Sequence, residues 1–227
     1  MEEIGHWHHM KARLKIAEEL KLIEGESLID AGCGSGRYLI YFKKHHKIQY
    51  CVGFDISKDV IISAKNNLRR HDLSIELVVA DIENSPFKNN SFDVVFSADV
   101  IEHLSNPFKG INELVRISKD KIIIATPNKL CPIDMSQIAQ MFSSHIPPPI
   151  ENYLTKFQLK RMLMDVGVKP SNIIIKETSF LPLGWLFVHV KISMPIKLLR
   201  LLLIIEKILE KTPIKNIAGV LVAHAKK

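Results

Sequence analysis

Leu28-Ile29-Asp30-Ala31-Gly32-Cys33-Gly34-Ser35-Gly36 is an apolar stretch that runs straight into a glycine-rich turn. Residues 37 to 46 follow at once with a helix-type pattern. Glycine has no Cβ and tolerates positive φ, so glycines at alternate positions let the backbone bend tightly and touch a ligand. The amides that open the next helix would face that ligand with a partial positive charge. Strand, turn and helix start are therefore expected to form one ligand cradle, with the rest of the chain as its scaffold.

The surrounding sequence repeats the same alternation. Residues 50 to 54 read as a second strand closed by Asp55, and Ser57 is a suitable N-cap for a helix over 58 to 70. Residues 75 to 79 read as a third strand ending near Asp81, and 92 to 97 as a fourth. The near-continuous apolar run Val94-Val95-Phe96 suits a strand buried on both faces of a parallel sheet. A helix over 107 to 117 has proline in its first turn, and a fifth strand covers 121 to 125. Thr155 caps a helix over 156 to 166 that Gly167 ends, and strands are expected at 173 to 177 and 220 to 225. This pattern predicts an α/β fold: a Rossmann-like, seven-stranded, mostly parallel sheet with helices on both faces and a helical insertion before the last strand. Ligands of such sheets sit at the carboxyl ends of the strands. That rule groups Asp30 and the glycines with Asp55, Asp81 and residues 97 to 99.

The chain has 227 residues, 47% apolar and 24% charged, and is expected to form one domain. An amphipathic N-terminal helix falls within 1 to 24 and the ligand-binding core within 25 to 128. Residues 129 to 152 and 180 to 211 would cover the substrate. A net charge of +7 permits acidic partners without requiring them. Its clusters at 43 to 47 and 69 to 71 read as solvated helix ends favoured by the helix dipole. No aromatic-basic RNA module is visible, which argues against nucleic acid. Cys33, Cys51 and Cys131 lack CxxC spacing and suit a reducing, cytoplasmic setting with no zinc site. The cluster His6-Trp7-His8-His9 is not expected to bind metal, because adjacent side chains point different ways around a helix. The start of the chain has no apolar core of a signal peptide.

The turn excludes two common nucleotide motifs. A dinucleotide fingerprint would place its third glycine at Arg37, and a P-loop would need Gly-Lys-Ser or Gly-Lys-Thr. The pattern is instead Asp-x-Gly-x-Gly-x-Gly. Together with Val52-Gly53-Phe54-Asp55-Ile56-Ser57, Ala80-Asp81-Ile82, the block from Phe92 to His103, and Thr126-Pro127-Asn128, it resembles the class I S-adenosylmethionine-dependent methyltransferases of the small-molecule type. These include the ubiquinone and menaquinone methyltransferases. The likeness spans roughly residues 25 to 180 in element order.

The resemblance implies S-adenosylmethionine as cofactor and S-adenosylhomocysteine as product. Gly32, Cys33, Gly34 and Gly36 would meet its methionine part, and Asp30 would position the ammonium group through water. Asp55 would accept hydrogen bonds from both ribose hydroxyls, as a group that only accepts can do. Asp81 would accept from the adenine amine, with Ile82 and Ile56 against the ring. The backbone at Ser97 and Ala98 would meet the ammonium group, and Arg37 or Tyr38 the carboxylate. His103 is the first candidate for a general base, with Asp99 and His145 behind it.

The acceptor would be a small molecule. Cys131-Pro132 reverses the order used by cytosine-C5 enzymes, and no Asn/Asp-Pro-Pro-Tyr block follows the fourth strand. The Leu- and Ile-rich segment 180 to 211 has two readings. It is buried on the sheet or in a homodimer, or it meets a lipid-like substrate or a membrane surface through its apolar side and basic flanks. Rival functions are methylation of RNA or protein, and a non-catalytic cofactor-binding regulatory subunit.

Overall fold

The computed structural model describes residues 10, 13–14, 23, 27–46, 48–132, 151–178, 201, 204–205, 208–209, 211–212 and 216–227. Its strands are β1 (Ser27–Ala31), β2 (Tyr50–Asp55), β3 (Glu76–Val79), β4 (Phe92–Ala98), β5 (Ser118–Pro127), β6 (Ile173–Thr178) and β7 (Val220–Lys226). Helices α1 (Arg37–His45), α2 (Lys58–Arg70), α3 (Pro107–Ile117) and α4 (Lys156–Asp165) lie between them.

The strands form one sheet in the order β3-β2-β1-β4-β5-β7-β6. The pairs from β3 through β5 are parallel, whereas β7 runs antiparallel to both β5 and β6. The chain thus builds outward from β1 through β2 to β3, then returns to place β4 on the other side of β1. That reversal opens a crevice at the carboxyl ends of β1 and β4, where ligands of such sheets bind.

Period-two alternation sorts the strand residues onto two layers. Ile29, Val52, Phe54, Val95, Ile122 and Ile124 pack with Leu114 of α3 and Leu159 of α4. Their neighbours Leu28, Cys51, Val94, Phe96 and Ile123 pack on the opposite face with Phe42 of α1, Leu68 of α2, and Met10 and Leu14. Both faces of the inner strands are buried, which accounts for their unbroken apolar runs.

Local signals act as expected at several ends. Ser57 Oγ accepts from Val60 N–H, and Thr155 forms a reciprocal capping box with Gln158. The basic clusters fall in the last turns of α1 and α2, where the helix dipole favours cations. Strand β5 is longer than expected, because its ends pair with Phe92 on one side and with Val220 and Lys226 on the other. Met10, Arg13 and Leu14 are helical; most of the rest of the expected N-terminal helix lies outside the described residues. Most of 129–152 and 180–211, including His145, lies outside the described residues, as do His6, His8 and His9. Among the described residues no helix is long and apolar enough to cross a membrane, and no His, Cys, Asp and Glu cluster could hold a metal ion.

Candidate cofactor site

A cavity of about 570 Å³ opens at the carboxyl ends of β1, β2 and β4. That volume is within the usual range for small-molecule sites. It is lined by Gly32 to Ser35 from the glycine turn, by Asp55 and Ile56, by Asp81 and Ile82, and by Ala98, Asp99 and His103.

The turn is built by backbone bonds to the neighbouring strand. The N–H groups of Gly32 and Cys33 both donate to Phe54 C=O, at 2.8 and 2.9 Å. Gly32 has φ 76°, and a Cβ there would sit 2.3 Å from Val100 Cγ2. Gly34 also has positive φ, but a Cβ there would meet nothing within 4 Å. Gly32 is therefore demanded by packing below the turn, and Gly34 holds open the space above it.

Asp55 ties this turn to the next helix. Its Oδ2 accepts from Gly34 N–H at 3.1 Å and its Oδ1 from Ser57 N–H at 3.0 Å. Each carboxylate oxygen has a second lone pair, so Asp55 keeps acceptor capacity on the cavity side. Ile56 beside it is 71% exposed, an apolar surface presented to the cavity. Asp81 caps the short 3₁₀ turn Ile82–Asn84: Oδ1 accepts from Glu83 N–H, and Oδ2 from the Asn84 amide. It is thus both a turn residue and a cavity residue.

Two expected site residues are not among those that line the cavity. Gly36 is the left-handed N-cap of α1 and does not line the cavity; a Cβ there would touch Ala64 and Leu68 of α2. Those contacts are of ordinary length, so its φ of 78° is what favours glycine there. Asp30 is 1% exposed and lies beneath the turn. Its Oδ2 has no hydrogen-bond partner among the described residues. Burial, and then the charge of Asp55, pushes its carboxyl up to about 8. Burial first, then the charges of Asp30 and Asp55, also raises the Cys33 thiol far above its usual range, so it is no nucleophile.

Beyond β4 the chain makes the short 3₁₀ turn Ile101–His103. His103 lines the cavity and is exposed, whereas Glu102 before it is buried. Thr126 Oγ1 donates to Glu102 Oε2 at 2.9 Å. Burial and then the Asp99 charge hold the Glu102 carboxyl well above the usual carboxylate range. The backbone of Asn152 donates to Glu102 C=O and its side chain to Leu104 C=O, pinning this turn from outside.

Sequence reasoning missed one side of the cavity. Met10 lines it, beside the expected Tyr38, and Arg13 donates to Asp99 Oδ1 through Nε at 3.0 Å and Nη2 at 2.6 Å. Asp99, considered above as a proton acceptor, is instead held in this ion pair. The N-terminal helical pattern was readable, but nothing local links residue 13 to residue 99.

Comparison with known proteins agrees with this geometry. Residues 29–125 match the methyltransferase domain family. Over 119 residues the chain is 29% identical to a ubiquinone biosynthesis O-methyltransferase of Coxiella burnetii, covering 52% of this chain and 50% of that protein. It is 30% identical over 95 residues to norajmaline N-methyltransferase of Rauvolfia serpentina, covering 41% of this chain and 32% of that protein. The chain thus spans about half the length of the first relative and about a third of the second. A SAM-dependent methyltransferase structure from Aquifex aeolicus superposes with a TM-score of 0.59 at 19% identity, covering 95% of this chain and 92% of that one. That likeness shows the fold. Residues 29–125 thus carry a match to the methyltransferase domain family, within a fold whose ordered motifs and sheet order resemble those of the class I S-adenosylmethionine-dependent methyltransferases.

Proposed function

We propose that this chain transfers the methyl group of S-adenosylmethionine to a small, apolar or lipid-like acceptor. One observation carries the cofactor assignment. The glycine turn and Asp55, joined by the Gly34–Asp55 hydrogen bond, face the same cavity as Ile56, Asp81 and Ala98.

The residues present suit this cofactor. Gly34 leaves open space where a backbone must approach a ligand, and no side chain caps the first turn of α1. Its amides are therefore available to a carboxylate. The unpartnered Oδ2 of Asp30 suits a cation reached through water. Asp55 would take the ribose hydroxyls on its remaining lone pairs, Ile56 and Ile82 would contact the adenine faces, and Asp81 would accept from its amine. Bound S-adenosylmethionine supplies a methyl group on a cationic sulfur that is already electrophilic.

The protein's task is then alignment of the acceptor, which can contribute about 7–11 kcal/mol. His103 lines the cavity and would take a proton from a hydroxyl or amine acceptor, a step that adds about 10²–10⁴ in rate.

Two observations support an apolar acceptor. The Coxiella relative is named for ubiquinone biosynthesis. Leu201, Ile204, Ile205 and Ile208 are helical and exposed, spaced to share one helix face. Such a face suits a lipid-like substrate or a membrane surface better than a helix buried on the sheet.

The test is transfer of labelled methyl from S-adenosylmethionine to a panel of phenols, quinols, amines and lipid extracts, with mass spectrometry of the products. Labelling of an apolar small molecule is expected. Labelling of RNA or protein alone, or cofactor binding with no transfer to any acceptor, would overturn the reading.

A further inference from the structure

Asp81 is held from outside the cavity by a short relay that ends on α3. Its Oδ2 accepts from Asn84 Nδ2 at 2.8 Å, and Asn84 Oδ1 in turn accepts from Lys109 Nζ at 2.6 Å. Asp81 Oδ1 accepts from Glu83 N–H at 2.8 Å. Glu83 Oε1 accepts from the N–H of Asn106, the N-cap of α3, at 3.0 Å. These bonds close a ring between the 3₁₀ turn Ile82–Asn84 and the first turn of α3. The same helix holds the chain beyond the turn. Glu113 Oε2 accepts from Ser85 N–H, and Arg116 donates to the carbonyls of Ser85 and Phe87. Asp81 and Glu83 line the cavity, whereas Asn84 and Lys109 do not.

The relay has a direction. A lysine ammonium donates and never accepts, so Lys109 selects the carbonyl oxygen of the Asn84 amide. The NH₂ end of that amide is then left to face Asp81. Each oxygen of Asp81 carries one bond from the protein, which fixes the carboxylate and leaves further lone pairs for a donor. A 6-aminopurine supplies that donor. A 6-oxopurine presents an oxygen at the same position, which a carboxylate repels.

We propose that Asn84 and Lys109 orient Asp81 for an exocyclic amine, and so make the cavity selective for a 6-aminopurine over its 6-oxo counterpart. Both are positioning residues that act through Asp81. The proposal rests on the cofactor reading above, which places the adenine amine at Asp81.

Calorimetry on the full chain tests it, with S-adenosylhomocysteine and its deaminated 6-oxo analogue, S-inosylhomocysteine, as probes. The wild type should bind the amino form about tenfold more tightly or better, as one hydrogen bond to a charged group implies. Asn84→Asp keeps the shape of the side chain and its bond to Lys109, but turns an oxygen towards Asp81. It should cut the preference to about threefold or less. Lys109→Met frees the Asn84 amide to rotate and should lower the preference by about threefold, whereas Lys109→Arg, which still donates, should retain it. Wild-type preference in both Asn84→Asp and Lys109→Met overturns the proposal and leaves adenine at Asp81. An equal loss of affinity for both ligands with a lowered Tm also overturns it, since that marks a ring which only holds the fold. A wild type that binds neither ligand, or both alike, overturns the cofactor reading of Asp81 and this proposal with it.

Discussion

Asp55 holds the glycine turn with one oxygen and the start of α2 with the other, and it faces the cavity with what remains. Its replacement by alanine removes the expected ribose contacts and frees the turn. Hydrogen bonds to a charged group contribute about 1.5–3 kcal/mol each, so loss of one or two should weaken S-adenosylhomocysteine binding by about 100-fold or more. Calorimetry giving wild-type affinity would remove Asp55 from the site. Gly32→Ala is a different case. Its Cβ would collide with Val100 at a positive φ, so about 2–5 kcal/mol of stability should be lost, summing backbone and overpacking costs. Urea unfolding measures it, and a loss under 1 kcal/mol would show that Val100 moves aside. His103→Ala should reduce turnover with little change in cofactor affinity; an unaltered rate would leave His103 as a wall residue only.

Among the elements, α4 owes its start to the capping box of Thr155 and Gln158. It packs Leu159 and Leu163 on the same face as α3. Thr155→Ala should cost about 1 kcal/mol, read from the denaturant midpoint, whereas Thr155→Ser should restore most of it. Most elements were legible because their signals are local. Ser57, Thr155, Pro107 and Gly167 mark helix ends through their own chemistry, and Val94-Val95-Phe96 marks a strand covered on both faces. What was not legible was how the elements join. The 3₁₀ turn Ile101–His103 and the Glu102–Thr126 bond depend on β4 and β5 lying side by side.

At the scale of the molecule, buried ionisable groups give stability a pH dependence. Asp30 is held near 8 in the fold and at its ordinary value, near 4, in the unfolded chain. Between those values the folded protein keeps a proton that the unfolded chain releases. The stability due to neutral Asp30 is therefore complete below about pH 4 and lost as pH rises to about 8. Glu102 is shifted in the same direction. Asp30→Asn should flatten this fall by a few kcal/mol, seen by urea unfolding at pH 5 and pH 8; an unchanged slope would mean that Asp30 is ionised throughout. His224 acts in the opposite sense. It is buried on β7, and neither ring nitrogen has a hydrogen-bond partner among the described residues. Burial first, then the charge of Lys121, lowers its pKa. The unfolded chain therefore takes up a proton first as pH falls below about 6.5, and the folded state loses stability there. His224→Leu should remove that loss.

The sequence by itself determined the order of strands, turns and helices and the place of the glycine turn. Each of these rests on spacing within a few residues, where backbone freedom, capping and apolar periodicity act directly. Only the tertiary structure decided that Gly36 stands outside the cavity lining, that Asp30 lies beneath the turn, and that β7 inserts antiparallel between β5 and β6. It alone set Arg13 against Asp99. The physical reason is common to all four. Burial, close packing and ion pairing depend on which distant segments meet, and no local pattern in the chain records that meeting.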